Sequence, residues 1–176
     1  MKEQKDARLA EAMAVYGDYL MRLCYTYVQD WAIAEDVVQD TFVKYYEKME
    51  QFREESSTKT YLYRIAINNC HSYLTSWRYK KLQVIDSWSK LMGNSIDPVS
   101  EVIANESDAL LVAAIEKLST KYKDVLLLFH FADFSLKEVS EALHIPENTV
   151  KTRLRRARKM VGLTLEEGGF EYGSNS

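Results

Sequence analysis

The stretch Ser135–Lys159 reads SLKEVSEALHIPENTVKTRLRRARK, and its reading decides the fold. Leu136, Val139 and Leu143 recur at helical spacing along a first segment. Val150, Leu154, Ala157 and Val161 do the same along a second. Ser135 followed by Glu138 is the pattern of a capping box, which opens the first of these helices. Pro146 fits the first turn of the second, where its missing N–H has no helical partner to lose. The result is a helix, a tight turn and a second helix.

At about 100° per residue, the face opposite Val150 and Leu154 holds Thr152, Arg155, Arg156 and Lys159. Lys151, Arg153 and Arg158 flank it. Such a face suits the major groove of DNA, where arginine binds guanine edges through two parallel hydrogen bonds. A merely solvated helix face normally mixes both signs of charge, whereas Lys151–Lys159 holds six bases and no acid. If Arg156 made such a base contact, its loss would cost roughly 1–3 kcal/mol of DNA affinity. The motif is shared by many kinds of transcription regulator, so the rest of the chain must discriminate.

The whole chain has 176 residues and a net charge of −3, which does not by itself suggest a nucleic-acid binder. The distribution matters more than the sum. Val28–Ser56 holds eight acids against Lys44, Lys48 and Arg53, while Arg64–Lys81 holds four bases and no acid. This segregation implies one acidic surface for a protein partner and two basic surfaces for nucleic acid. Only 6 Gly and 2 Pro occur, which disfavours a turn-rich β architecture, and Ala, Leu, Lys and Glu run unbroken in a way that favours helix. An all-α fold is therefore expected.

No apolar run approaches the roughly 18–20 residues that span a bilayer. Met1–Asp6 lacks the apolar core of a signal peptide, so a cytoplasmic protein is expected, not itself a membrane protein. Cys24 and Cys70 read as packing residues, not as a disulfide, in a reducing compartment. His71, His130 and His144 form no ligand spacing with them. Asp36 and Asp40 lie one helical turn apart, but nothing nearby completes a metal cage. No metal, cofactor or catalytic residue is expected.

Two helical blocks and a linker organise the chain. Leu9, Met13, Tyr16, Leu20, Leu23 and Tyr27 mark a first helix. A second begins near Trp31 and turns Val38, Phe42, Tyr45 and Met49 inward. A polar stretch, Gln51–Lys59, precedes a third over Thr60–Trp77, with Leu62, Ile65, Ala66, Asn69, Cys70, Tyr73 and Trp77 near one stripe. The first block thus spans 9–78, a linker with breaker residues spans 79–107, and a second block spans 108–165. In that block Leu111, Ile115 and Leu118 mark one helix and Val125, Leu126, Leu128 and Phe129 another, ahead of the helix-turn-helix. Residues 166–176 are expected to form a disordered tail.

The segment Ala34–Phe42, AEDVVQDTF, resembles the region 2 signature of sigma factors. Phe52-Arg53 followed by Thr60–Ala66, TYLYRIA, resembles a second stretch of that region. Ala114–Leu118 and Ile145–Leu154 resemble region 4. The three motifs stand in family order over roughly residues 9–165. Regions 1 and 3 of the larger sigma factors are not seen in this sequence, a pattern similar to the extracytoplasmic-function (ECF) branch of the sigma-70 family.

This resemblance implies two small helical domains, a sigma-two bundle and a sigma-four helix-turn-helix. It implies no enzymatic step. Asp36, Gln39, Asp40, Val43 and Glu47 would dock the clamp helices of the β′ subunit of core RNA polymerase, with Val43 as a small apolar centre among polar groups. Phe52, Tyr61, Arg64, Asn68 and Ser72 would handle the melted minus-ten element of promoter DNA, where flipped bases stack on aromatics. His71, Arg78, Lys80 and Lys81 would add phosphate contacts. The cationic helix would bind the minus-thirty-five duplex while its domain touches the β flap. An anti-sigma factor, often membrane-bound in the family, would hold the protein inactive.

There are departures from the family pattern. Glu54 stands where glycine usually follows Phe-Arg, and Tyr61 replaces a usual tryptophan. His144 and Asn148 replace common glycines in and after the turn. The turn can require positive φ, which histidine tolerates better than a β-branched residue does. Two rivals remain at this level. One is an autonomous helix-turn-helix regulator, which would bind duplex DNA without polymerase. The other is a metal-dependent nuclease, which would need clustered carboxylates or histidines.

Overall fold

The computed structural model of the chain describes residues 2–50, 57–88 and 106–167, with side chains over 2–50, 57–77 and 110–167. Among the described residues there are seven helices and no strand, in accord with the all-α expectation. They form two compact units, α1–α3 and α4–α7.

The first unit contains α1 (Lys2–Val28), α2 (Trp31–Lys48) and α3 (Thr58–Trp88). The turn between α1 and α2 is very short. Gln29 takes φ 57° and closes α1 by donating its N–H to the Tyr25 carbonyl. Asp30 then caps α2, its Oδ1 accepting from the Ile33 N–H at 3.0 Å. That bond satisfies one of the orphan donors of the first turn. Ser57 does the same for α3, accepting from the Thr60 N–H at 3.1 Å.

All three helices pack on one another. Leu20, Cys24, Tyr45, Leu62, Ala66, Ile67 and Cys70 are buried at their centre. Each large side chain of this kind stabilises the fold by about 1.5–3 kcal/mol relative to exposure. Both cysteines are buried, as their packing role predicts. One polar element is embedded in this core. Asn69 donates to Thr41 Oγ1 at 3.1 Å, accepts from Lys44 Nζ, and Thr41 Oγ1 donates to the Val37 carbonyl at 2.7 Å. This buried amide, bonded to α2 through both its nitrogen and its oxygen, helps to fix the register of α3 on α2.

The helical stripes read from sequence hold for α2, where Val38, Phe42, Tyr45 and Met49 are all buried. They drift on the longer helices. Met13 of α1 and Trp77 of α3 are half exposed, whereas Ala12, Tyr63 and Ile67 are buried in their stead. A straight helix carries its inward stripe around the axis over many turns. Helix α1 begins at Lys2, ahead of the expected Leu9, and α3 runs on to Trp88, past the expected end near Trp77. The linker expectation over 79–107 therefore falls partly on helix, and 89–105 lies outside the described residues.

The second unit contains α4 (Glu106–Glu116), α5 (Thr120–His130), α6 (Leu136–Leu143) and α7 (Glu147–Glu167). Helix α7 packs against α5 and α4. Its inward residues Val150, Leu154, Ala157, Val161 and Leu165 are buried, together with Ala114, Ile115, Val125, Leu127 and Leu128. Helix α7 runs to Glu167, so the expected tail loses its first two residues to helix, and the rest lies outside the described residues.

Candidate functional site

The helix-turn-helix is built by local chemistry. Ser135 Oγ accepts from the Glu138 N–H at 3.2 Å, and Glu138 Oε2 accepts from the Ser135 N–H at 2.8 Å, the reciprocal pair of a capping box. His144 ends α6 in the left-handed conformation, φ 53° and ψ 46°. The substitution of histidine for the usual glycine leaves the turn intact. Ser140 Oγ donates to the Ile145 carbonyl at 2.5 Å and holds the chain as it enters α7.

On α7, Lys151, Arg155, Arg156, Arg158 and Lys159 are exposed. Thr152 and Arg153 are half-buried, and Thr152 Oγ1 donates back to the Asn148 carbonyl at 2.9 Å. The exposed strip is thus centred on the cations, with Thr152 at its border. Arg158 differs from the others. Its Nε donates to His130 Nε2 at 3.0 Å, and its guanidinium carbon lies 5.4 Å from the centroid of Phe129. These contacts tie it to α5. Burial, then the charge of Arg158, push the His130 imidazole below its ordinary value of 6.5.

Sequence periodicity missed a contribution from α5. A recess of about 420 Å³ beside α7 is lined by Lys121 and Tyr122 as well as by Arg153 and Arg156. Arg156, and to a lesser extent Lys121, hold the Tyr122 phenol below its ordinary value. Only the packing of α5 on α7 brings these groups together. The sole hint in the chain was an aromatic flanked by lysines at 121–123.

On α2, Asp36, Gln39, Asp40, Val43 and Glu47 are all exposed, Val43 to 55%. Gln39 Nε2 donates to Glu35 Oε1 at 3.2 Å, a one-turn link along this face. Val43 is thus an aliphatic side chain exposed among Asp36, Asp40 and Glu47.

Of the minus-ten set, Tyr61, Arg64, Asn68 and Ser72 all lie on α3, with Asn68 and Ser72 exposed at one-turn spacing. The Tyr61 ring is half-buried, its centroid 6.2 Å from that of Tyr45. Burial pushes its phenol above the ordinary value, opposed in part by the charge of Arg64. Phe52, like Glu54, lies outside the described residues, as do the side chains of Arg78, Lys80 and Lys81. His71 packs edge-on against Tyr27, with centroids 5.8 Å apart. No group of three or more His, Cys, Asp or Glu side chains is placed to hold a metal ion among the described residues.

A second surface feature of the α4–α7 unit is an apolar groove of about 670 Å³. Leu111, Ile115, Leu126, Phe131, Val161 and Leu163 line it, with Phe131 and Leu163 exposed. Among the described residues no helix is long and apolar enough to cross a membrane.

Two helical units, one of them ending in a helix-turn-helix with a cationic outer face, define the architecture of a sigma-70-type initiation factor. Residues 13–79 match Sigma-70 region 2, and residues 108–161 match Sigma-70 region 4. The chain is 30% identical over 179 residues to the ECF RNA polymerase sigma factor SigW of Bacillus subtilis (strain 168), covering 94% of this chain and 92% of that one. It is 31% identical over 134 residues to the ECF RNA polymerase sigma-E factor of Haemophilus influenzae, covering 72% and 71%. Its fold is similar to that of the sigma factor RpoE in complex with the anti-sigma factor NepR from Bartonella quintana, with a TM-score of 0.67 and 24% identity over 92% of this chain and 98% of that one. It is also similar to CnrH in complex with the cytosolic domain of CnrY, with a TM-score of 0.70 and 20% identity over 92% and 90%. The chain belongs to the ECF sigma factors of the sigma-70 family. It is accordingly a sigma factor that directs transcription, and the autonomous-regulator alternative is set aside.

Proposed function

We propose that this chain binds core RNA polymerase through the acidic face of α2 and promoter DNA through α3 and α7, and that it performs no chemical step itself. Residues 9–78 serve as the sigma-two domain, 79–107 connect the domains, and 108–165 serve as the sigma-four domain. What carries the reading is the segregation of exposed charge. Asp36, Asp40 and Glu47 surround Val43 on one helix, whereas five exposed cations line another. A carboxylate face repels phosphates and suits a basic protein surface, and a cationic face does the reverse.

Lys151, Thr152, Arg153, Arg155, Arg156, Arg158 and Lys159 form the minus-thirty-five surface, with Arg158 also bonded to α5. Tyr61, Arg64, Asn68 and Ser72, with Phe52, handle the minus-ten strand. The β flap would bury the apolar groove of the second unit, whose exposed Phe131 and Leu163 favour such a contact. An anti-sigma factor would mask these polymerase-binding surfaces. A protein with these partners works in the cytoplasm.

The test is run-off transcription with sigma-free core polymerase and genomic fragments. New discrete start sites that require both components are expected. Tight, specific binding to duplex DNA by the chain alone, with no stimulation of an active matched core enzyme, would overturn the reading.

A further inference from the structure

We propose that α5 supplies part of the DNA-binding surface: Lys121 and the Tyr122 hydroxyl join Arg153 and Arg156 of α7 in a clamp for one backbone phosphate of duplex DNA. The inference rests on the DNA reading of α7 and assigns two of its arginines a different task from base recognition.

The recess beside α7 is lined by side chains that offer hydrogen atoms or positive charge. Lys121, Arg153 and Arg156 bring three cations, Thr149 brings a hydroxyl, and no carboxylate contributes to the wall. Three converging cations without an acid create a potential that only an anion relieves. Tyr122 lines the recess from the first turn of α5, with little of its surface exposed. Lys121 Nζ lies 5.0 Å from its ring centroid. The Tyr122 hydroxyl can donate its proton to a phosphate oxygen.

An arginine that recognises guanine offers two parallel N–H groups to O6 and N7. A phosphate demands charge and one or two donors, not a matched pair of acceptors in a plane, so cations that line one recess suit it. Arg155, exposed and outside the recess, is left for a base edge. The recess also lies beside Asn148, Thr149 and Thr152, in the first turns of α7. Residues there are the ones that approach base edges in a helix-turn-helix complex, and the phosphates at the groove rim lie next to them. The clamp thus fixes how the helix enters the groove, and a neighbouring side chain reads it.

The experiment uses holoenzyme assembled from the full chain and core polymerase. The probe is a promoter fragment recovered by run-off transcription, with every single-base substitution of its minus-thirty-five element. Lys121→Ala, Tyr122→Phe and Arg156→Ala are each expected to weaken binding by about threefold to tenfold. The factor should be the same on every base substitution, and Lys121→Ala should reduce the slope of log affinity against log salt by about 1. Tyr122→Phe should add nothing to Arg156→Ala in the double variant, and the melting temperatures should be unchanged. A loss confined to one base pair, an unchanged salt slope, or additive effects of Tyr122→Phe and Arg156→Ala would overturn the clamp. If wild-type holoenzyme bound intact and scrambled minus-thirty-five elements equally well, the DNA reading of α7 would fall, and the clamp with it.

Discussion

Helices α2 and α7 solve the same folding problem and present opposite surfaces. Each buries one stripe, Val38, Phe42 and Tyr45 on α2 and Val150, Leu154 and Ala157 on α7. On the outside, α2 keeps carboxylates around an exposed Val43, and α7 keeps cations. The comparison teaches that the fold specifies the inner stripe while the outer residues are free to specify the partner. An apolar centre amid acids is of little use to DNA, whose surface is uniformly anionic, but it gives a protein interface something to desolvate.

The strongest way to break the comparison is to damage one inner stripe at a time. Leu20→Ala in the first unit and Leu128→Ala in the second each remove a side chain with no exposure. Each should cost about 2–5 kcal/mol of stability, measured by thermal or urea unfolding. If the two outer faces have separate partners, Leu128→Ala should remove minus-thirty-five dependence while binding to core polymerase persists. Loss of both activities from that one change would show that the division of labour is wrong.

Changes on the outer faces come next in size. Arg155→Ala should lose roughly 1–3 kcal/mol of promoter affinity and relax the preference at one base pair. Val43→Asp should weaken core polymerase binding by about 1–2 kcal/mol while leaving stability within about 0.5 kcal/mol. Fluorescence anisotropy with labelled promoter and labelled core polymerase reads the two effects separately. A Val43→Asp protein that bound core polymerase normally would remove α2 from the interface.

Smaller effects sharpen the picture of the second unit. Ser135→Ala breaks the capping box and should cost about 1 kcal/mol, visible as a lower melting temperature. His130 offers a pH test. Burial and Arg158 hold its pKa below 6.5, so the native state binds a proton less readily than the unfolded chain. The sign follows from linkage: the stability is fully present above pH 6.5 and is lost as the pH falls through the lower native value. His130→Gln, which can still accept from Arg158, should flatten this part of the pH–stability curve. An unchanged curve would mean that other groups set the acid sensitivity.

Local patterns made much of the molecule legible. Ser135 and Glu138 announce a helix start because their bonds close within one turn. The buried stripe of α7 follows from a 3.6-residue period, which needs no knowledge of the neighbour. The acidic and basic segments, and the family to which they point, are equally properties of the chain alone. Long helices were read less well. Met13 and Trp77 fit a periodic stripe but are half exposed, since a straight helix carries its inward face around the axis over many turns.

What the sequence by itself determined is the all-α class, the helix-turn-helix and the outer face of each partner helix, because these rest on interactions among residues within a few positions of one another. The tertiary structure alone decided which cations act together. It tied Arg158 to His130 and Phe129, brought Arg156 and Tyr122 to one recess, and linked Lys44, Asn69 and Thr41 across two helices. These pairs lie far apart along the chain, and the hydrogen bonds that assign them their roles exist only after the helices have packed.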